Sequence, residues 1–346
     1  MGKIAYSFSL ILVSLALGYL VAHARHRVGD AERRFESLRI RLQKLVLLGF
    51  NPVIFLGAVW SLDLSDTKLL LLPLVGIASL ATGLVLGFAG ARVFRLKPFQ
   101  AGVYATTASF TNIGNIGGLI VYILVGEEGF ALVPFYKLFE EFWNYAVLFP
   151  IARGYSGKAN VGQGPQTGAD GDTNPGMDRS MGQGPKRSEG FLRVVKDPFF
   201  VLAFLSITVG ISLNLAGFTR PAAYGDFNSV MIPAGSFLFL VTIGMRMTFS
   251  GLRAHAPKAA LIVAGKAIIV PATAFALASS LGLGSIENGL LLKTILILAS
   301  GPVGFLALVP PTLYKLDRQL ANALWLYSNM ALIIIVPVLS FLISAI

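Results

Sequence analysis

Long apolar runs separated by short polar stretches dominate this chain. A helix needs roughly 20 apolar residues to cross the hydrocarbon core of a bilayer. About ten segments qualify: 4–22, 44–62, 68–91, 101–125, 131–152, 198–216, 228–249, 258–281, 289–313 and 320–345. The pattern predicts an all-α polytopic membrane protein. One polar stretch is long, 154–196, and it contains "GQGPQTGADGDTNPGMDRSMGQGPKR". Its Gly, Pro, Asp and Gln cannot bury enough apolar surface to fold, so it reads as a disordered linker. The chain then divides into 1–153 with five spans, the linker 154–196, and 197–346 with five more.

Five is an odd number, so the second half enters the membrane inverted relative to the first. Inverted repeats with broken helices near the midplane are a transporter architecture. The halves carry matching interruptions, "FTNIGNIGG" at 110–118 in the fourth span and "ASGPVGF" at 299–305 in the ninth. Glycine is a poor helix-interior residue and Pro302 lacks an amide hydrogen. Non-helical backbone at membrane depth is tolerated only where protein or a water-filled cavity satisfies it. The breaks therefore read as places where backbone amides and carbonyls meet a ligand.

Composition supports the membrane reading. Of 346 residues, 55% are hydrophobic and only 13% charged, against about 25% charged in a soluble domain. Mean hydropathy is +0.73. With no cysteine there are no disulfides or thiolate metal sites. The net charge of +11 reads as an excess of cytoplasmic Lys and Arg and not as a nucleic-acid surface. Of the 28 Lys and Arg, 22 lie in or at the edges of the loops after spans one, three, five, seven and nine, and three on the opposite side. The remaining three, Lys137, Lys266 and Lys293, fall inside spans. This asymmetry predicts a plasma-membrane protein with both termini outside and the linker in the cytoplasm. Within the basic stretch 25–44, the spacing of Phe35, Leu38 and Leu42 predicts a short interfacial helix.

The run "SFTNIGNIGGLIVYILVGEEGFALVPFY" (109–136) resembles the auxin efflux carrier family, also called PIN-like transporters. There an Asn-containing, Gly-rich crossover precedes a "GEEG"-like turn. The stretch "ASGPVGFLALVPPTLYKLDRQLANALWLYSNMALIIIVPVLSFL" (299–342) resembles that family's last two spans. The resemblance implies the fold shared with bile acid–sodium symporters. Spans one, two, six and seven would form a scaffold, and spans three to five and eight to ten a transport domain with broken crossover helices four and nine. It implies small organic anions, auxin-like or other carboxylates, as substrates, moved by an elevator-like shift. A homodimer is compatible with that fold. The sodium symporters place a carboxylate in the ninth-span crossover, which "LILASGPVGFLAL" lacks, so sodium coupling is disfavoured.

Several residues are candidates for the chemistry. Asn112 and Asn115, with Gly114 between them, can donate to a carboxylate. Ser300, Gly301, Pro302 and Gly304 are the ninth-span counterparts, where a half-helix N-terminus would present free amides to an anion. In "KLFEEFWN" (137–144), Lys137 lies three and four residues before Glu140 and Glu141, so they can pair on one face. Ionisable groups at this depth pair with one another or line a pathway. A desolvated carboxylate there is also a candidate proton carrier. Lys266 is expected to counter Glu140 or Glu141, or to bind the substrate directly. A cation–proton antiporter using Glu140 and Glu141 is the alternative. His23, His26 and His255 are too scattered for a metal site, and "GNIGG" lacks the Lys and Ser/Thr of a phosphate loop. No nucleophile–base arrangement suggests an enzyme, and nothing calls for a cofactor.

Overall fold

The computed structural model describes residues 2–24, 31–62, 64, 66–160, 198–247, 249, 251–285 and 289–346. Among these the chain is all-helical with no strand, apart from an isolated antiparallel bridge between Thr111 and Val303. Four helices are long and apolar enough to cross a membrane: Phe35–Trp60, Thr67–Val93, Ala222–Gly244 and Leu252–Ser280. A fifth candidate is Arg318–Met330 with Leu332–Ile343, a pair bent by 42°. Shorter apolar helices are Ser9–Ala24, Ile113–Leu124, Val201–Leu215 and Leu290–Ala299.

Four to five candidate spans are fewer than the ten apolar segments of the sequence, and the difference has a local cause. The fourth segment is divided into Pro98–Ser109 and Gly118–Leu124, with an extended turn and the π-helix Ile113–Gly117 between them. The ninth is divided into Leu290–Ala299 and Val309–Leu313, with the short 3₁₀ helix Phe305–Leu308 before the latter. The fifth is not one helix. It runs through Glu127–Ala131, Val133–Tyr136, Glu140–Trp143, the π-helix Asn144–Leu148 and Phe149–Asn160. Pro134 contributes no amide hydrogen there. The last helix also carries residues 154–160, which the composition assigns to the linker; residues 161–197 lie outside the described residues.

Close backbone approaches sort the helices into two sets. In the first, Gly2–Ala24 crosses Ala222–Gly244 so tightly that a Cβ at Gly18 would lie 2.8 Å from the Met245 nitrogen. Pro198–Leu215 likewise meets Asn51–Trp60, where a Cβ at Gly210 would lie 2.9 Å from the Leu56 carbonyl. In the second set, Leu72–Val93 lies against Pro98–Ser109, and a Cβ at Gly87 would stand 2.7 Å from the Ala105 Cα. Among the described residues no such glycine approach joins 2–62 and 198–247 to 66–160 and 251–346. The largest fully buried side chains, Trp325, Tyr104, Tyr136 and Phe110, all belong to the second set.

Candidate functional site

The two breaks meet. The Asn112 N–H donates to the Pro302 carbonyl at 2.8 Å, and the Gly304 N–H donates to the Phe110 carbonyl at 3.2 Å, on either side of the Thr111–Val303 bridge. A Cβ at Gly301 would lie 2.9 Å from Thr111 Cγ2, and one at Gly304 2.9 Å from the Thr111 carbonyl oxygen. Both positions need glycine for this approach. The Val303 peptide is held on both sides by the helix Arg318–Met330: its N–H donates to Ser328 Oγ at 2.9 Å, and its carbonyl accepts from Asn329 Nδ2 at 3.3 Å. Buried backbone outside a helix thus finds partners, as it must.

Around the fourth-span break the two half-helix ends face opposite electrostatic needs. At the C-terminal end of Pro98–Ser109, buried Lys266 donates to Thr111 Oγ1 at 2.7 Å and lies 3.3 and 3.4 Å from the Ala108 and Phe110 carbonyls. A cation suits the negative end of a helix dipole. Lys266 thus engages the break directly while remaining within Coulombic reach of Glu140. Its hydrogen bonds go to the backbone and hydroxyl of the break.

At the N-terminal end of Ile113–Leu124, Asn112 is the cap, and its Oδ1 accepts from the Ile116 N–H at 3.2 Å. The N–H groups of Ile113, Gly114 and Asn115 have no acceptor among the described residues. The Asn115 side chain is half-buried beside them. Lys137 stands over this end, since a Cβ at Gly114 would lie 3.1 Å from its Nζ. Lys137 Nζ is 3.2 Å from Glu140 Oε2, and Glu140 is buried. Oε2 accepts no hydrogen bond from the described residues, so this contact is Coulombic and not an aligned hydrogen bond. Glu141 is half-buried on the next position.

Two anchors set this geometry. The Tyr136 hydroxyl donates to Ser79 Oγ at 2.6 Å, which fixes the chain just before Lys137. Trp143 Nε1 donates to Ser109 Oγ at 3.0 Å, which ties the Glu140 turn to the end of the first half-helix. One turn beyond Glu140, Asn144 is buried and its Oδ1 has no partner among the described residues.

The ninth-span break carries no comparable charge. Ser300 Oγ donates to the Leu296 carbonyl of its own helix at 2.8 Å, and the Gly301 N–H donates to the Leu298 carbonyl at 3.2 Å. Pro302 supplies a carbonyl. Phe305, just past the break, has the Arg246 guanidinium 5.3 Å from its ring centre and packs edge-on against Trp325 at 6.2 Å. Sequence reasoning missed Ser328, Asn329 and Asn144. The polar pair in "LYSNMAL" is the signal available for the first two, on the same logic that singles out Asn112. Among the described residues no three His, Asp or Glu side chains cluster as a metal site.

A family model described as membrane transport protein matches residues 10–340. No curated protein matches the chain. The match and the apolar helices agree on a multi-pass membrane protein. The chain belongs to the membrane transport protein family, that of the auxin efflux carriers and PIN-like proteins, and is a membrane transporter.

Proposed function

We propose that this transporter carries a small organic anion, an auxin-like or other carboxylate, bound where the two breaks cross. The observation that carries the reading is the three N–H groups of Ile113, Gly114 and Asn115 that the Asn112 cap leaves without an acceptor among the described residues, with Lys137 above them. Free amides at a helix N-terminus and an ammonium together favour an anion. Asn112, Gly114 and Asn115 would line the ligand. Ser300, Gly301, Pro302 and Gly304 would form the opposite wall and keep the crossing open.

The division into two sets supports an elevator-like motion. On this reading 2–62 and 198–247 are the scaffold, and 66–160 with 251–346 move as the transport domain. The helical pieces then amount to ten crossings in two inverted repeats, both termini outside and 154–196 cytoplasmic. The cation–proton antiporter is the weaker reading. A metal or alkali cation approaching Glu140 would meet the Lys137 ammonium already 3.2 Å away, with Lys266 fixed at the same break. Counterflow of labelled carboxylates in proteoliposomes tests the proposal. Uptake driven by an internal carboxylate is expected; cation-driven pH change without anion flux would replace it with the antiporter.

A further inference from the structure

Contacts between the two sets differ in kind from those within them. Among the described residues, the hydrogen bonds and ion pairs joining the sets all end on one side chain, the Glu127 carboxylate. Arg220 grips it with both terminal nitrogens, Nη1 to Oε1 at 2.5 Å and Nη2 to Oε2 at 3.2 Å. Asn228, wholly buried, donates to Oε1 at 2.7 Å. Arg220 Nη1 also donates to the Gly57 carbonyl at 3.0 Å, which fastens the guanidinium to the Asn51–Trp60 helix. Beside this clasp Phe55 stacks on Phe130 with ring centres 5.8 Å apart. Glu127 opens the "EEGF" turn after Gly126, whose φ of +110° only glycine adopts comfortably. The "GEEG" turn is thus a docking point for the other set.

Forked Arg–carboxylate pairs are directional and strong for their exposure. This one is about one-fifth exposed on each side, so water and salt weaken it, and the buried Asn228 amide adds what screening removes. The opposite end of the interface is held differently. Arg246 spends its hydrogen bond on Glu36 of its own set, 2.7 Å away, and faces the second set with its guanidinium over the Phe305 ring.

We propose that Glu127, Arg220 and Asn228 form a latch that closes the outer side of the transporter. Releasing it would free the transport domain to expose the site outward. The inference rests on the elevator reading above and on the charge asymmetry that places residues 126–129 and 216–221 outside.

The natural absence of cysteine makes the test direct. Glu127→Gln and Arg220→Gln should each raise labelling of a Phe130→Cys reporter by a membrane-impermeant thiol reagent applied from outside. Each should also change the counterflow rate about three- to tenfold, the effect of a partly screened charged pair, while substrate affinity stays within about twofold. The double variant should add little to either single one. In a separate protein, Glu127→Cys with Asn228→Cys bridged by a short reducible bis-thiol reagent should stop counterflow, and reduction should restore it. Unchanged labelling and rate in both Gln variants, with the bridged protein arrested, would overturn the latch and leave the elevator reading standing. Full counterflow in the bridged protein would overturn both.

Discussion

The two breaks are built from similar sequence cues and end up chemically opposite. At the ninth, the side-chain donors go to structure: Ser328 and Asn329 hold Val303, and Ser300 bonds its own helix, with Asn329 Oδ1 left without a partner among the described residues. At the fourth, Lys266 and Asn112 satisfy one half-helix end each, yet three N–H groups are left without an acceptor among the described residues, beside the Lys137–Glu140 pair. On the proposed function, one break is a fixture and the other a receptor. If the two halves are inverted repeats, as the proposed function has them, one copy of the interruption supplies rigidity and the other charge.

The sharpest way to break this contrast is to remove the charge at the fourth break without unbalancing it. Lys137→Met with Glu140→Gln keeps the site neutral and should cost carboxylate binding about a hundredfold, roughly 2.7 kcal/mol, in isothermal titration. Next comes Asn112→Ala, which uncaps Ile113–Leu124. A tenfold loss of affinity, about 1.4 kcal/mol, is expected, and Asn115→Ala should do the same by removing its half-buried amide. The ninth break should respond in the opposite sense. Asn329→Leu or Ser328→Ala strands one side of the Val303 peptide, at about 1–3 kcal/mol of stability. Thermal unfolding in detergent should show that loss while affinity changes less than about threefold. Equal affinity losses at both breaks would erase the distinction.

The smallest expected effect concerns protons. If a substrate carboxylate draws Lys137 away from Glu140, the buried carboxylate loses its partner and takes up a proton on binding. Uptake on binding means affinity rises as pH falls, by at most about tenfold per pH unit for one proton. Glu140→Gln should flatten that slope while binding persists. A wild-type affinity that is flat between about pH 5 and 8, a range that should span a titrating group, removes the proton from the mechanism.

Both interruptions were legible in the chain because Gly, Pro and Asn stand out against apolar runs, and they are the residues that meet. The Lys137–Glu140 pair was legible as well, since its partners are three residues apart. What escaped were contacts that join distant segments. Lys266 finds Thr111 across 155 positions, and Arg220 finds Glu127 across 93, distances over which no local periodicity speaks. The fragmentation of the fifth apolar segment was also hidden. Hydropathy registers its length, whereas the turn at 137–139 follows from where Tyr136 and Trp143 are anchored. The glycines that sort the helices into two sets carry no mark in the sequence telling which helix each will meet.

Direct binding of a carboxylate to the fourth-span break is the claim on which the rest depends. It is tested most directly by titrating the purified protein with a panel of small carboxylates, wild type beside Lys137→Met/Glu140→Gln. Saturable binding to the wild type, weakened about a hundredfold in a variant that unfolds at the same temperature, is the predicted result. Binding of equal strength to both proteins would place the anion elsewhere and contradict the account.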